Sequence, residues 1–337
     1  MYHPRLQGHH YDMGYKYGSL LYKNGVRLDS LLPVNETHLA FGMNSESICK
    51  TYYPEIIDEI SGMAEGLHVP YEGFASFILN IGIHGEDFGC TTFCFQHGDD
   101  VIFARNYDMF SQFKKTTESC LYRPFSGYSF LGQGDSLIGK EDGVNEHGLA
   151  VGMTFVASKS TKPGFNFLIL VRYLLEKART VQEAILLLRP LPLCTSQNIV
   201  LADRTGDMAV VECCPAGMAI RQPGPGQRFL IATNQFIDPA MTALDHRPEP
   251  DWYSTQTRYH NVLQALMKSS GQDPMQLAQD ILSGKCGFVC QYKKELRFDS
   301  LWSFIVRLND LTVLRAEGNP GKTKYVPDPR LRTTCCY

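Results

Sequence analysis

Apolar residues recur at helical spacing through the first 89 residues, and at strand spacing in much of the remaining chain. Ile48, Tyr52, Ile56, Ile60 and Met63, entered at Ser45, fit one buried helical stripe that Gly66 ends. Pro70 opens a further helix through Phe74, Phe77 and Ile78, because proline suits the first helical turn. Gly14 and Gly18, one helical turn apart, read either as a point of close backbone approach or as turn glycines. The texture changes at Gly89. Thr91–Gln96 alternates strictly, with Thr91, Phe93 and Phe95 on one face and Thr92, Cys94 and Gln96 on the other. Gly98-Asp99-Asp100 is a turn signal, and the apolar run Val101–Ala104 completes a β-hairpin.

A second strand pair surrounds Asn145–Gly148, with Gly143-Val144 before it and Leu149–Phe155 after it. Asn166–Lys177 reads as an amphipathic helix, and Thr180 with Glu183 forms a capping box for Val181–Leu188. Strands return at Asn198–Asp203, Met208–Cys213 and Arg228–Thr233. Helices come next, over Ser254–Met267 and from Asp273-Pro274 to Leu282, and a last strand pair turns at Asn309-Asp310. This order suggests helices stacked on both faces of antiparallel sheets in one compact α+β unit. No internal repeat or low-complexity linker interrupts it.

Composition narrows the function classes. The chain has 337 residues, 44% of them hydrophobic and 20% charged, which is ordinary globular material rather than a disordered chain. A net charge of -3 gives no electrostatic reason to expect nucleic acid or an anionic membrane as a partner. The first residues lack the basic and apolar regions of a signal peptide. Eleven cysteines, an odd number, then suggest free thiols in a reducing, cytoplasmic setting. In that setting the sequon Asn35–Thr37 carries no glycan.

The candidate chemistry starts at Gly89-Cys90-Thr91. A cysteine that opens a buried strand is most often a small hydrophobe. Here, however, the preceding glycine leaves its carbonyl open to attack where a helical segment ends. The hairpin returns residues near 105 to the neighbourhood of residue 90. A guanidinium at Arg105 would favour thiolate over thiol, and a carboxylate at Asp108 could hold an ammonium group. A plain Arg–Asp pair is the bland alternative.

Four segments in order carry a family likeness: Gly89-Cys90-Thr91-Thr92, Ala104-Arg105-Asn106-Tyr107-Asp108, Asp142-Gly143-Val144-Asn145-Glu146-His147-Gly148-Leu149, and Ala232-Thr233-Asn234. They resemble the N-terminal-nucleophile cysteine hydrolases that include penicillin V acylase and bile salt hydrolase. The long segment ahead of Cys90, with Gly8, Gly14 and Gly18 and Tyr53-Pro54-Glu55, is more similar to the isopenicillin N acyltransferase branch. Arg105 stands where that branch favours glutamine and the hydrolase branch arginine. The resemblance implies a four-layer αββα sandwich, with residues 1–89 as a helical pro-segment and residues 90–337 as the catalytic domain. It also implies self-cleavage between Gly89 and Cys90.

The same resemblance implies a role for each residue. Cys90 is the nucleophile, and its freed α-amine the base. Asp108 orients that amine and Arg105 positions the sulfur. Asn234 and the backbone N–H near Phe155 serve the oxyanion, Arg258 braces the site, and Asn145 supports it. No cofactor or metal is expected. The expected ligand is a small N-acyl substrate, with an acyl-CoA donor if the reaction is transfer. The oligomeric state is open. Phe88, Phe93, Phe110, Phe113, Phe155 and Phe236 are candidates for an apolar acyl pocket or for core, with Phe93 favoured as core.

Three rival readings stand beside this one. A papain-like pair would use Cys90 with His84, His97 or His147, none of which has a local signature. Zinc would need Cys90/Cys94, Cys213-Cys214, Cys286/Cys290 or Cys335-Cys336, none of which has the two-residue gap of a ribbon. A binding protein that kept the fold and lost the reaction would hold an intact chain and an ordinary thiol at Cys90.

Overall fold

The computed structural model describes residues 1–28, 32, 35–83, 89–157, 160–252, 254–269 and 271–332. His84, Phe88, Cys335 and Cys336 therefore lie outside the described residues. The chain opens with a strand, β1 (Arg5–Gly8), and four helices, α1 (His10–Lys23), α2 (Glu36–Tyr52), α3 (Pro54–Leu67) and α4 (Tyr71–Leu79). The hairpin of β2 (Gly89–His97) and β3 (Asp100–Phe110) is next, then β4 (Glu118–Pro124), β5 (Phe130–Gly134), β6 (Asp142–Asn145) and β7 (Leu149–Phe155). Helices α5 (Phe167–Lys177) and α6 (Val181–Leu188) lead to β8 (Gln197–Asp203), β9 (Met208–Cys214), β10 (Gly217–Arg221) and β11 (Phe229–Ala232). Helices α7 (Thr255–Lys268) and α8 (Pro274–Leu282) precede β12 (Tyr292–Lys293), β13 (Phe298–Arg307), β14 (Thr312–Ala316) and β15 (Val326–Pro327).

These strands make two sheets. One has eight strands in the order β1-β4-β5-β6-β7-β8-β9-β10. The other runs β11-β2-β3-β13-β14-β15, with β12 paired to β13. Strand β2 packs on β7 and β8 of the facing sheet, α5 and α6 cover the outer face of the eight-stranded sheet, and α7 and α8 cover the other. The result is the four-layer αββα sandwich. Both sheets are covered on both faces, so β7, β8 and β9 are buried along their whole length. Cys90 and Cys94 face the core between the sheets, and Phe93 and Phe95 face the core under α7 and α8.

The N-terminal part, expected to be mainly helical, differs from that expectation in two ways. Strand β1 joins the eight-stranded sheet, pairing in parallel with β4. The stripe from Ser45 to Met63 is divided between two helices, because Pro54 lacks the N–H that would continue α2 and instead starts α3. Nor does Gly66 end α3, which runs to Leu67 and closes on His68 in the left-handed region. Gly66 serves packing instead. A Cβ on Gly14 would overlap the Glu59 carbonyl, and one on Gly62 would overlap that of Tyr11. Gly18 and Gly66 meet the opposite helix in the same manner. Of the two readings of Gly14 and Gly18, close backbone approach is the one realised.

Buried ion pairs tie this helical part to α5. Arg172 Nη2 donates to Glu59 Oε2 of α3 at 2.5 Å, and Arg172 Nε to Glu176 Oε1 at 2.6 Å. His10 Nε2 lies 2.8 Å from the other Glu176 oxygen. Arg172 and His10 together hold the Glu176 carboxyl down at about 2, against the upward push of its burial.

Candidate active site

The register of the β2–β3 hairpin organises the site. Gly89 lies opposite Asp108, Cys90 opposite Tyr107, and Thr92 opposite Arg105. Alternation along the strands therefore puts Cys90, Arg105 and Tyr107 on the face toward the other sheet, and Thr91 and Asp108 on the face toward the helices. Glycine at 89 has a steric reason. A Cβ there would stand 3.0 Å from Asp108 Cβ and 3.1 Å from the Phe298 ring.

On the inward face Arg105 Nη2 donates to Cys90 Sγ at 3.1 Å. The guanidinium is held on its other edges. Nη1 donates to Asp142 Oδ2 at 2.6 Å, Nη2 to Glu141 Oε2 at 3.1 Å, and Nε to the Met153 carbonyl at 3.0 Å. Trp302 Nε1 donates to the same Asp142 oxygen at 3.0 Å, and the Trp302 ring stacks on Tyr107 with centroids 4.0 Å apart. All of these groups are buried. Burial disfavours the guanidinium, but Cys90, Asp142 and Glu141 together hold it firmly protonated. Burial also pushes the Cys90 thiol up to about 12, against the pull of Arg105. One cation shared with two carboxylates does not outweigh full desolvation of the sulfur.

On the other face the contacts go to the backbone of Cys90. Asn234 Oδ1 accepts from Cys90 N–H at 2.9 Å and from Arg258 Nη2 at 2.7 Å. Two donors on that atom fix the orientation of the amide, whose Nδ2 donates to the Phe155 carbonyl at 2.9 Å. Arg258 Nη1 donates to the Cys90 carbonyl and, at 2.9 Å, to Thr91 Oγ1. Asp108 Oδ1 accepts from Ser300 Oγ, while Oδ2 is buried with no hydrogen-bond partner among the described residues. Burial raises the Asp108 carboxyl to about 7, with Arg258, Ser300 and Arg105 opposing.

Comparison with known proteins adds a family to this geometry. Residues 94–322, more than half of the chain, match the model of the acyl-coenzyme A:6-aminopenicillanic acid acyl-transferase family. The chain belongs to that acyl-transferase family. Comparison with curated proteins gives no match. Among solved structures, the chain is similar to penicillin V acylase from Agrobacterium tumefaciens at 17% identity, covering 68% of this chain and 83% of that one with a TM-score of 0.45. It is similar to the Caenorhabditis elegans ortholog of N-acylethanolamine-hydrolyzing acid amidase at 16% identity, 65% and 93% coverage and a TM-score of 0.49. It is also similar to a mutant of conjugated bile acid hydrolase from Clostridium perfringens at 14% identity, 71% and 96% coverage and a TM-score of 0.46.

In this member of the acyl-transferase family, Cys90, Arg105, Asp108, Asn234 and Arg258 gather around one peptide unit. Phe155 meets them through its carbonyl. Asn145 stands apart. Its Nδ2 donates to the carbonyls of Leu175 and Ala178, and its Oδ1 accepts from His147 and Leu149 N–H, so it pins the β6–β7 turn to the end of α5. His97 lies at the turn end of the hairpin opposite Asp100, and the His147 ring packs on Tyr128. Phe93 is core under α7 and α8, and Phe236 belongs to a small cluster with Val156 and Met241. Phe110 packs on Phe298, and Phe155 on Phe167. Among the described residues no three His, Cys, Asp or Glu side chains gather as a metal centre would require, and no helix is long and apolar enough to cross a membrane.

Sequence reasoning gave no role to Asp142, Glu141, Trp302 or Ser300. Asp142 carried a signal, since it opens the Asp-Gly-Val-Asn segment. Trp302 and Ser300 arrive on β13, almost 200 residues from Arg105 and Asp108, with no local pattern to mark them.

Proposed function

We propose that this chain is a cysteine amidohydrolase for a linear N-acyl amide, and that it frees its own nucleophile by cutting the Gly89–Cys90 bond. The observation that carries this reading is the convergence on one residue. Arg105 meets the Cys90 sulfur, while Arg258 and Asn234 hold its backbone.

In the first step the Cys90 sulfur attacks the Gly89 carbonyl and the peptide nitrogen leaves as an amine, exchanging an amide for a thioester. Water then cleaves the thioester, leaving a carboxylate on Gly89 and an α-amine on Cys90. An unperturbed α-amine has a pKa of about 7.7–8.0, which suits a general base at neutral pH. That base supplies what Arg105 alone does not, since the thiol is held protonated by burial. The free Oδ2 of Asp108, whose residue lies opposite Gly89, is the acceptor for the new ammonium group.

Turnover repeats the chemistry on substrate. The sulfur attacks the acyl carbonyl while the amine takes the thiol proton and passes it to the departing amine. Water then hydrolyses the acyl-cysteine. Asn234 Nδ2 keeps a second hydrogen for the oxyanion, and Arg258 fixes the Asn234 amide that presents it. Acyl transfer is the second reading, favoured by the family to which the chain belongs. In it an amine takes the place of water.

Trapping the acyl-enzyme tests this directly. Brief exposure to a p-nitrophenyl acyl ester, acid quench and peptide mapping should find the acyl mass on Cys90, in a peptide that begins at Cys90. Cys90→Ala should carry none. Acylation at any other residue with Cys90 unmodified contradicts the reading. Adding a competing amine then separates transfer from hydrolysis by its acylated product.

A further inference from the structure

A cavity of about 590 Å³ lies between the segment ahead of Cys90 and the ends of the strands. Its size falls within the ~300–1,000 Å³ typical of small-molecule sites. Of the eighteen described residues that line it, eleven precede Cys90. Leu21 of α1 and Phe77 and Ile81 at the end of α4 line it together with Met109, near the end of β3, and with Phe113 and Leu137 from beyond the hairpin.

The cavity and Cys90 share a neighbour in Tyr107. Met109 comes after Tyr107 on the β3 face that also carries Arg105, and Tyr107 lies opposite Cys90. The Tyr107 hydroxyl donates at 2.8 Å to Asp135 Oδ2, and Asp135 lines the cavity. Asp135 Oδ1 is engaged by Ser136 Oγ at 2.9 Å. The basic lining residues, Lys115 and His3, are exposed. Among the described lining residues, then, no buried cation waits for an anionic group, and the one buried carboxylate already has its donors.

From this we infer that the cavity is the acyl site, that it takes an uncharged apolar acyl group, and that the segment ahead of Cys90 sets the length of chain admitted. The inference rests on the proposed function for the placement of the acyl carbonyl at Cys90. Burial of the chain stabilises the complex by removing apolar surface from water. The wall belongs to the piece that self-cleavage would release from the backbone of the large fragment. Specificity would therefore be written in residues that are covalently separate from the nucleophile.

Binding and turnover are measured on the same variants. N-phenyl-1-naphthylamine, a neutral apolar fluorophore, is titrated into wild type, Cys90→Ala, Leu21→Trp and Phe113→Ala, and is displaced with dodecanamide. Leu21→Trp fills the cavity and Phe113→Ala enlarges it. Thermal melts check that each variant is folded. Wild type and Cys90→Ala should bind alike, and Leu21→Trp should weaken dodecanamide by roughly tenfold, the loss expected for about 1.4 kcal/mol of contact. With hexanoyl and decanoyl amides of 7-amino-4-methylcoumarin, Leu21→Trp should shift preference toward hexanoyl and Phe113→Ala toward decanoyl. Unchanged dodecanamide affinity in a folded Leu21→Trp, or no binding by any form, overturns the inference. Binding that Leu21→Trp abolishes in a wild type that hydrolyses neither amide leaves the cavity assignment standing and removes the proposed chemistry.

Discussion

At the scale of the residue, the surroundings of Cys90 hold the sulfur protonated while the chain is whole. Burial acts on the thiol in full, and Arg105, the guanidinium that opposes it most, is shared with Asp142 and Glu141, while Arg258 adds a smaller pull. Asp108 is held in a similar tension. Its carboxyl titrates near 7 in the folded intact chain, against about 3.9 for an unperturbed aspartate. The folded state thus binds a proton that the unfolded state has released between those values. That contribution to stability is complete below the unfolded pKa and is lost as pH rises through 7. In a Cys90→Ala background, Asp108→Asn should therefore gain on its parent as pH rises from 4.5 to 8, by a few degrees of melting temperature. A difference between the two that stays constant across this range would remove Asp108 as the group responsible. Strand alternation made Cys90 and Arg105 readable as neighbours, because a hairpin with a short turn fixes its register. The true register sets Arg105 opposite Thr92, and the length of the arginine spans the remaining distance. Asp142 and Trp302 were not readable in this way, because β6 reaches β3 only through the packing of one sheet on the other, and β13 pairs with β3 from almost 200 residues away.

At the scale of the element, the packing of α1 on α3 decides how the N-terminal part is held. Glycines on both helices remove the side chains that would separate them, and each backbone sits against the other. Alanine is favoured over glycine inside a helix by up to about 1 kcal/mol, so propensity alone predicts that Gly62→Ala stabilises. Overlap of its Cβ with the Tyr11 carbonyl reverses the sign, since backbone cannot swing aside as a side chain can. Gly62→Ala should lower stability by about 1–3 kcal/mol, read from the urea midpoint, the range for overpacking. An unchanged or raised midpoint would show that the helices separate at little cost. Glycine spacing in the sequence left this contact as one of two alternatives, because turn glycines can recur at the same interval. The strands β1, β4, β5 and β10 were missed for a related reason. β1, β5 and β10 are short, and β4 and β5 are almost entirely buried, so neither of these two shows the alternation by which a half-exposed strand is recognised.

At the scale of the whole molecule, the piece ahead of Cys90 is built into the sandwich rather than laid upon it. It supplies an edge strand to the eight-stranded sheet, buried partners for Arg172 and Glu176, and most of the wall of the cavity. Its end at Gly89 enters directly into β2, the strand that carries the nucleophile. Self-cleavage there would change one bond and free one amine while the surrounding packing stays in place. Helices on both faces of antiparallel sheets were readable from the order of helical and strand periodicities, while the four-layer sandwich itself came from the family resemblance. The cavity was not readable, because residues 2–4, the α1 and α4 helices, the end of β3 and the loop after β5 meet only in three dimensions. The central claim is that Cys90 becomes an N-terminal residue, and intact mass under denaturing conditions measures it most directly. Wild type should give two species, residues 1–89 and a fragment beginning at Cys90, and Cys90→Ala should give one. A wild-type preparation that hydrolyses an N-acyl amide while showing only the uncut chain would contradict the account.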